Sequence, residues 1–562
     1  MSAGDSEVSG EFAESQAAGL FSSRLAWSLL LVSGCIGFLL NPESSLSKGE
    51  ISEGFRATAA GLGALLVIGR AVIPQRAHRN RMIASVLVLA WAGALIGGLA
   101  GSQVDRAFSR YESRLWSSYH YYLGAKYFSE LGYDGLYDQT AAVDAEHNRR
   151  FSGLHSLRDL KTYQKEPMNL SERVRSDQWT DERWVAFSSD VLWFQGLKEG
   201  RDGVADRADR WRIKERSWKR MLRDRGYNAT PTSNTIYWLV SRVPLSERNL
   251  MWVGLLDPLL LLLVFITAAF VFGIVRSATS LAWLLLFFGN EFHIVGGPLL
   301  HDYLAALVLM ACAIHSNRPM AAGLALGYAA MTRVFPVFFL LGFGVWAFVR
   351  WRKARKIPRF VDRFLRGLVT SCVVLFLLGC MNTRGVKAWG EWADNISLHS
   401  EDHRFGNKRI GLQHIFTHDF GLEQGRWGKK EWRRSTWPEQ KKYWVASAGL
   451  LLLLWGLGTW RRSGVELNPL SSIVFSLMVV FALIVISRYY WSAACLFFLL
   501  GGRDRDGPWE GALAGGLLLV VAVFYLLSPG IETNFGQYHR ANVLLVLWAL
   551  PLLCWRALRA RR

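Results

Sequence analysis

Side chains able to do chemistry gather at five places in this 562-residue chain, each beside a long apolar run. The first is Gly101 to Arg106, where Asp105 follows directly on an apolar stretch. An acid at such an exit faces a substrate at headgroup level, or simply an interfacial neighbour such as Arg106. The second runs from Tyr119 to Asp138 and holds His120, Tyr121, Tyr122, Lys126, Glu130, Asp134 and Asp138. On a helix, Tyr119, Tyr122, Lys126 and Glu130 share one stripe, because their spacings are three and four. Aromatic rings stack on the apolar faces of sugar rings, and carboxylates accept hydrogen bonds from hydroxyls or take their protons. The same stripe also describes an amphipathic helix lying in the headgroups.

The third place is Gly289 to Tyr303, with Glu291, His293, His301 and Asp302 at the edge of an apolar run. Ionisable groups at membrane depth are expensive in lipid, so they line cavities. The fourth is Met331 to Pro336, where Arg333 sits before a proline, and Arg488-Tyr489-Tyr490 and Tyr538-His539-Arg540 repeat the combination later. A guanidinium fork binds phosphate through two parallel hydrogen bonds, so three such arginines point to an anionic ligand. A lone arginine of this kind would only snorkel. The fifth is His399 to His414, with Glu401, Asp402, His403, Arg404 and Arg409. Its histidine spacing is not that of a compact zinc motif. No glycine-rich phosphate cradle and no serine elbow is present.

The elements that must position these groups are membrane spans. Half of the residues are apolar (51%), and they come in near-continuous runs such as 84–101, 251–275, 471–487 and 511–528. Runs of about 17–25 residues match the hydrocarbon thickness, and 25 Trp suit interfacial belts. The six Cys all lie inside apolar runs and read as small buried hydrophobes. The fold class expected is an all-α polytopic membrane protein with about 12–14 transmembrane helices and two extracytoplasmic loop regions. The expected divisions are 1–101 (N-terminal spans), 102–250 (large extracytoplasmic loop domain), 251–381 (transmembrane core), 382–443 (second extracytoplasmic loop) and 444–562 (C-terminal spans). The spans over 278–289 and 490–502 are short, which implies tilting, re-entry or extension by polar neighbours. Pro336 is expected to divide 320–334 from 336–350 as a tight hairpin.

The net charge of +20 is concentrated in short connectors such as 350–366 and at the C-terminal end. That distribution is a topology signal, not a nucleic-acid footprint. It places both termini in the cytoplasm, keeps 24–40 as a retained span and puts both long polar segments on the opposite side.

The order of these pieces resembles the GT-C superfamily of membrane glycosyltransferases, in its GT87-like layout. A span ends in Asp105. A juxtamembrane loop carries Tyr121-Tyr122 and then Gly132 to Asp138. Gly323 to Gly327 leads to Thr332-Arg333-Val-Phe-Pro336, Asn407 to Leu412 follows, and Ser487-Arg488-Tyr489-Tyr490-Trp491 opens a later span. The resemblance covers roughly residues 82–500, and each motif is short. The sequence departs from the pattern where Trp116-Ser117-Ser118 stands in place of an acid before the tyrosine pair, and its first loop is longer than usual.

The resemblance implies transfer of a sugar from a polyprenyl-phosphate donor to a glycan, lipid or protein acceptor, at the outer face of a bacterial inner membrane. Asp105, Asp134 and Glu130 then compete for the role of base. Arg333, Arg488, His301 and Arg409 would meet the donor phosphate. His120, Tyr121, Tyr122, Lys126, Asp138, Glu291, His293 and Asp302 would hold sugar or acceptor. No cofactor is demanded, although a divalent metal ion is compatible with the chemistry. Two rival readings are an oligosaccharide ligase or polymerase, in which 399–414 handles a lipid pyrophosphate, and a transporter or flippase of lipid-linked sugar. The latter expects internal repeats, and none stands out.

Overall fold

The computed structural model describes residues 57, 60, 61, 63, 64, 112–147, 156–167, 169, 172–195, 220–288, 299–417, 430–465, 469–500, 508–527 and 534–558. The expected spans over 24–40 and 82–101 lie outside these, as do Asp105, Glu291 and His293. Among the described residues the chain is an all-α polytopic membrane protein with only four short strands. Five helices are long and apolar enough to cross a membrane, and three shorter apolar helices accompany them.

The first polar region begins with α1 (Glu112–Ser118), which continues into a π-helical turn (Tyr119–Leu123) and two further short helical turns. Next come α2 (Leu136–His147), a hairpin of β1 (Ser156–Arg158) and β2 (Lys165–Pro167), and α3 (Asp181–Gln195). These pieces close around Tyr119, Tyr127, Tyr137, Trp179, Phe187 and Phe194, a core of their own. Burying rings this large supplies a folding force independent of the bilayer.

The chain then enters α4 (Pro231–Val240), whose start is written locally: Thr230 caps Ser233 N at 3.1 Å and Pro231 occupies the first turn. Thr232 and Thr235 donate to Leu375 O (2.8 Å) and Leu378 O (3.0 Å), so α4 docks on the C-terminal end of a membrane helix. The membrane part contains α5 (Glu247–Gly254), α6 (Leu256–Phe272), α7 (Ile274–Leu286), α8 (Asp302–His315), α9 (Pro319–Thr332), α10 (Phe339–Ala354) and α11 (Arg359–Cys380). Helices α9 and α11 meet through glycines. A Cβ on Gly323 would run into the Phe364 carbonyl, and one on Gly367 into that of Met320. Without a hydrophobic force between helices in lipid, such close approach is what holds them.

Pro336 does divide its apolar run. Arg333 is extended, a 3-10 turn spans Phe335–Phe338, and α10 restarts at Phe339. Helix α9 then packs on α8 and α11, whereas α10 packs on elements from the last third of the chain.

The second polar region holds α12 (Lys387–Arg404) and β3 (Arg409–Ile410). It is followed by α13 (Lys430–Ser463), 34 residues long, which starts well before the span expected at 444–460. The run 468–487 is not one helix. It breaks into α14 (Leu470–Val474) and α15 (Leu477–Leu483), and then β4 (Ile486–Ser487) pairs with β3. The short apolar stretch after it is a 3-10 helix over Arg488–Leu499, buried against α7. Helices α16 (Pro508–Leu527) and α17 (Asn534–Leu558) complete the described fold.

Candidate active site

Three breaks in helical structure bring the site together: the end of α9, the β3–β4 pair, and the turn before α4. At the first, Arg333 leaves the helix and is buried, 9% exposed. Its Nη1 donates to Thr332 O (2.8 Å) and Ser233 Oγ (3.4 Å), and Nη2 donates to Tyr237 Oη (3.2 Å). All these partners are neutral. Its charge lies in electrostatic reach of Asp302, Tyr121 and Tyr490. Tyr121 packs its ring on Tyr237 (4.8 Å) and Tyr227 (5.9 Å). Opposite them, Tyr490 packs on Phe335 (5.1 Å) and Tyr489 (4.4 Å). Tyr328 donates to Asp302 Oδ2 at 2.9 Å. The half-buried rings of Tyr121, Tyr489 and Tyr490 thus surround a buried guanidinium.

At the second break, strand pairing sets Arg409 opposite Ser487. Arg409 is buried; Nε donates to His403 O (3.1 Å), and Nη1 donates to Ser487 Oγ (3.2 Å). His403 Nε2 lies 3.0 Å from Ser487 Oγ, and His399, one turn earlier on α12, stacks on it at 4.7 Å. Arg488 follows at once and donates to Tyr538 Oη at 2.7 Å. Among the described residues neither Arg409 nor Arg488 has a carboxylate in ion-pair reach. Burial, together with the Arg225 charge, pushes the Arg409 guanidinium down to about 9. Burial and the charges of Arg225 and Arg409 push His399 down to about 3, so it is neutral. The positive potential here is therefore supplied by arginine. A buried cation beside other cations, with no carboxylate in ion-pair reach among the described residues, is a site for an anion.

The third break, Arg223 to Asn228, carries residues that no local pattern singled out. Gly226 has φ +66°, and a Cβ there would collide with the Leu160 side chain, so only glycine makes the turn. Gly226 N donates to Tyr137 Oη at 3.0 Å. Arg225 Nε donates to Asp402 Oδ2 at 2.8 Å, which ties the first polar region to the second. Asp224 stands between them, half-buried, and its charge acts on Tyr121, His399 and Arg409. Tyr121 feels Arg333, Asp302, Tyr489 and Asp224 together. Tyr227, in the same turn, packs on Tyr121 (5.9 Å), and Tyr121 packs on Tyr237, which accepts from Arg333, so the turn that carries Asp224 touches both cationic centres.

Other expected residues are placed elsewhere. The stripe Tyr122, Lys126, Glu130 is real, but it faces α3. Lys126 pairs with Asp190 at 2.7 Å, Glu130 with Arg183 at 2.6 Å, and Tyr122 donates to Val243 O at 3.0 Å. Burial raises the Glu130 carboxyl, but hydrogen bonds from Arg183 and Ser129 outweigh it and hold it below the ordinary range. Asp138 pairs with Arg173 at 2.6 Å, and Asp134 lies 3.9 Å from Lys161. His120 is buried between Trp116 O (2.8 Å) and Tyr137 Oη (2.8 Å). His301 is 1% exposed, with Nδ1 3.5 Å from Asp257 Oδ2, beneath the site and not on its wall. Among the described residues no group of three or more His, Cys, Asp or Glu is placed to hold a metal ion.

A cavity of about 750 Å³ leads away from Asp302 and Tyr328. It runs between α6, α8, α9 and α11, along Ala305, Leu309, Ala313, Ala321, Leu324 and Ala325, to Ser316 and Arg318 at the far end of α8. Its walls are almost wholly apolar. The 14 residues of α8 make it about 21 Å long.

No curated protein and no solved structure matches this chain. A family model does over part of its length: residues 303–487, from α8 through Arg333 and Arg409 to the end of β4, are similar to glycosyltransferase family 87.

Proposed function

We propose that the protein transfers a sugar from a polyprenyl-phosphate donor to a hydroxyl-bearing acceptor at the extracytoplasmic surface. The observation that carries the lipid donor is the apolar cavity lined at one end by Asp302 and Tyr328, with Asp302 in electrostatic reach of Arg333. A soluble nucleotide donor has no use for an apolar channel of that length. A prenyl chain fits it, with its phosphate at the arginine end. Transfer joins the acceptor oxygen to C1 of the sugar while the C1–O bond to phosphate breaks, and the electron pair stays on the lipid phosphate. Arg333, aimed by Ser233 and Tyr237, is placed to stabilise that charge as it grows, and such preorganised donors are the strongest lever in group transfer.

Helix α10 supports the side of the membrane proposed. It runs from Phe339, next to the site, to the exposed cluster Arg352, Lys353, Arg355 and Lys356 at its other end. Cytoplasmic ends carry such clusters, which supports a site facing outward in a bacterial inner membrane. A pyrophosphate-linked oligosaccharide is the second reading of the donor. It is favoured by the adjacent unpaired Arg409 and Arg488.

The test is to narrow the cavity with Ala313→Trp and Ala325→Trp. A long-chain polyprenyl-phosphate sugar then shows a raised KM, while a ten-carbon analogue reaching only the arginine end is turned over as before. Equal effects on both donors would remove the cavity from the reading. A donor panel with one or two phosphates separates the two forms of donor.

A further inference from the structure

We propose that Asp224 is the carboxylate that takes the proton from the acceptor hydroxyl. This rests on the glycosyltransferase reading and adds to it the group that completes the chemistry. The argument begins with elimination. Glu130, Asp138, Asp190 and Asp402 each have an arginine or lysine at 2.6–2.8 Å. Asp159 is occupied with its own turn, receiving Thr162 Oγ1 at 2.7 Å. A carboxylate tied to a cation is a weak base, because its charged form is already stabilised. Asp302 is buried beneath Tyr328, at the mouth of the apolar cavity. Asp224 has no ion-pair partner among the described residues, is half-exposed, and receives one hydrogen bond, from Trp116 Nε1 to Oδ2 at 3.2 Å.

Its placement is rigid. His120 Nδ1 faces the Trp116 carbonyl, which only accepts, so Nδ1 carries the proton. Neutral His120 Nε2 therefore accepts from Tyr137 Oη, leaving that oxygen to receive Gly226 N. The same chain of bonds fixes both Trp116, which holds Asp224, and Gly226, two residues after it. From the other side Arg158 N and Nε donate to Leu222 O (3.0 Å) and Arg223 O (2.9 Å). Tyr163 Oη donates to Arg225 O at 3.2 Å. Asp224 is within electrostatic reach of His120, Tyr121, Tyr137, Tyr163, His399 and Arg409, and its own turn touches α12 through Arg225 to Asp402 (2.8 Å) and Asn228 to His399 (3.4 Å). In the transfer, the acceptor O–H proton passes to the Asp224 oxygen not held by Trp116. The acceptor oxygen bonds to the sugar carbon, and the departing phosphate keeps the bonding pair at the arginines.

The experiment uses the full chain in detergent, a panel of polyprenyl-monophosphate hexoses and pentoses, and a mixture of glycan and lipid acceptors. Wild-type transfer is measured first. Its absence across the panel overturns the glycosyltransferase reading, and this proposal with it. Given wild-type transfer, Asp224→Asn is expected to lower kcat/KM by about 10²–10⁴-fold and to lose the acidic limb of the pH profile. Donor KM and thermal stability should stay near wild type. Sodium formate should restore part of the rate to Asp224→Ala, which a merely structural role would not allow. A near-wild-type rate and pH profile in Asp224→Asn overturns the proposal alone. So does loss of the acidic limb in Asp105→Asn while Asp224→Asn retains it.

Discussion

The two faces of the first polar region differ in one respect. On the face toward α3, charges are paired: Lys126 with Asp190, and Glu130 with Arg183. On the face toward α12 and the β3–β4 pair, Arg409 and Arg488 stand without a carboxylate in ion-pair reach among the described residues, and Asp224 without a cation among them. Paired charges hold helices in register. Separated and unpaired ones, fixed in place by neutral partners, raise the energy of the empty site and are relieved by a ligand carrying both a phosphate and a hydroxyl. Both faces are rich in tyrosine and charge, so composition alone does not tell them apart.

That contrast can be broken most severely at the arginines. Arg333→Gln and Arg409→Gln are each expected to lower transfer by about 10²–10³-fold, read as release of polyprenyl phosphate, while the protein remains folded. For Arg409→Gln the empty protein should be at least as stable as wild type. Its folded-state value lies below the ordinary arginine range, so the charge destabilises the fold at every pH below about 9. A thermal melt showing strong destabilisation would make Arg409 structural and dissolve the distinction between the faces.

Next in size is the scaffold beneath both. Gly323→Leu forces a side chain into the Phe364 backbone. It is expected to lower stability by about 1–3 kcal/mol or more, seen as a lower melting temperature in detergent, with transfer per folded molecule little changed.

A smaller effect is expected on the paired face. Arg183→Met leaves Glu130 without its partner and should destabilise by about 1 kcal/mol, with kcat/KM within about twofold of wild type, since α3 lies behind the site. A large loss of transfer would move the site to that face.

The most gradual effect is a pH dependence. His399 stays neutral down to about 3 in the folded protein and takes a proton near 6.5 when unfolded. The unfolded state therefore binds the extra proton between those values, and stability falls as pH drops through that window. His399→Gln should flatten this acid limb by at most about 1.4 kcal/mol per pH unit, measurable by melts from pH 7 to 4.

Much of the frame was legible because it is local. The apolar character of most spans and the break at Pro336 are readable from short windows, and the structure has that break. The helical stripe Tyr122, Lys126, Glu130 was legible too, but its partners were not: Asp190 and Arg183 come from 53–64 residues further along. A helix face can be read from spacing, whereas what it faces depends on tertiary packing. Asp224 was missed for the same reason. Its turn is held by Tyr137, 89 residues earlier, and by a glycine whose need arises from Leu160. The broken run 470–483 is uncharged and apolar apart from Ser471, Ser472 and Ser476, and periodicity says nothing about where such a segment bends.

The 3-10 winding of Arg488–Leu499 settles a matter of reach. Twelve residues at about 2.0 Å each span about 24 Å, whereas an α-helix of the same residues would span about 18 Å. The shortfall of about 6 Å is comparable to the length of an arginine side chain. With β4 pinned to β3, an α-helical form would draw either Arg488 away from Tyr538 or the far end of the segment away from α7. The tighter coil lets a segment too short for an ordinary membrane crossing keep one end against α7 and still deliver a buried guanidinium to Tyr538.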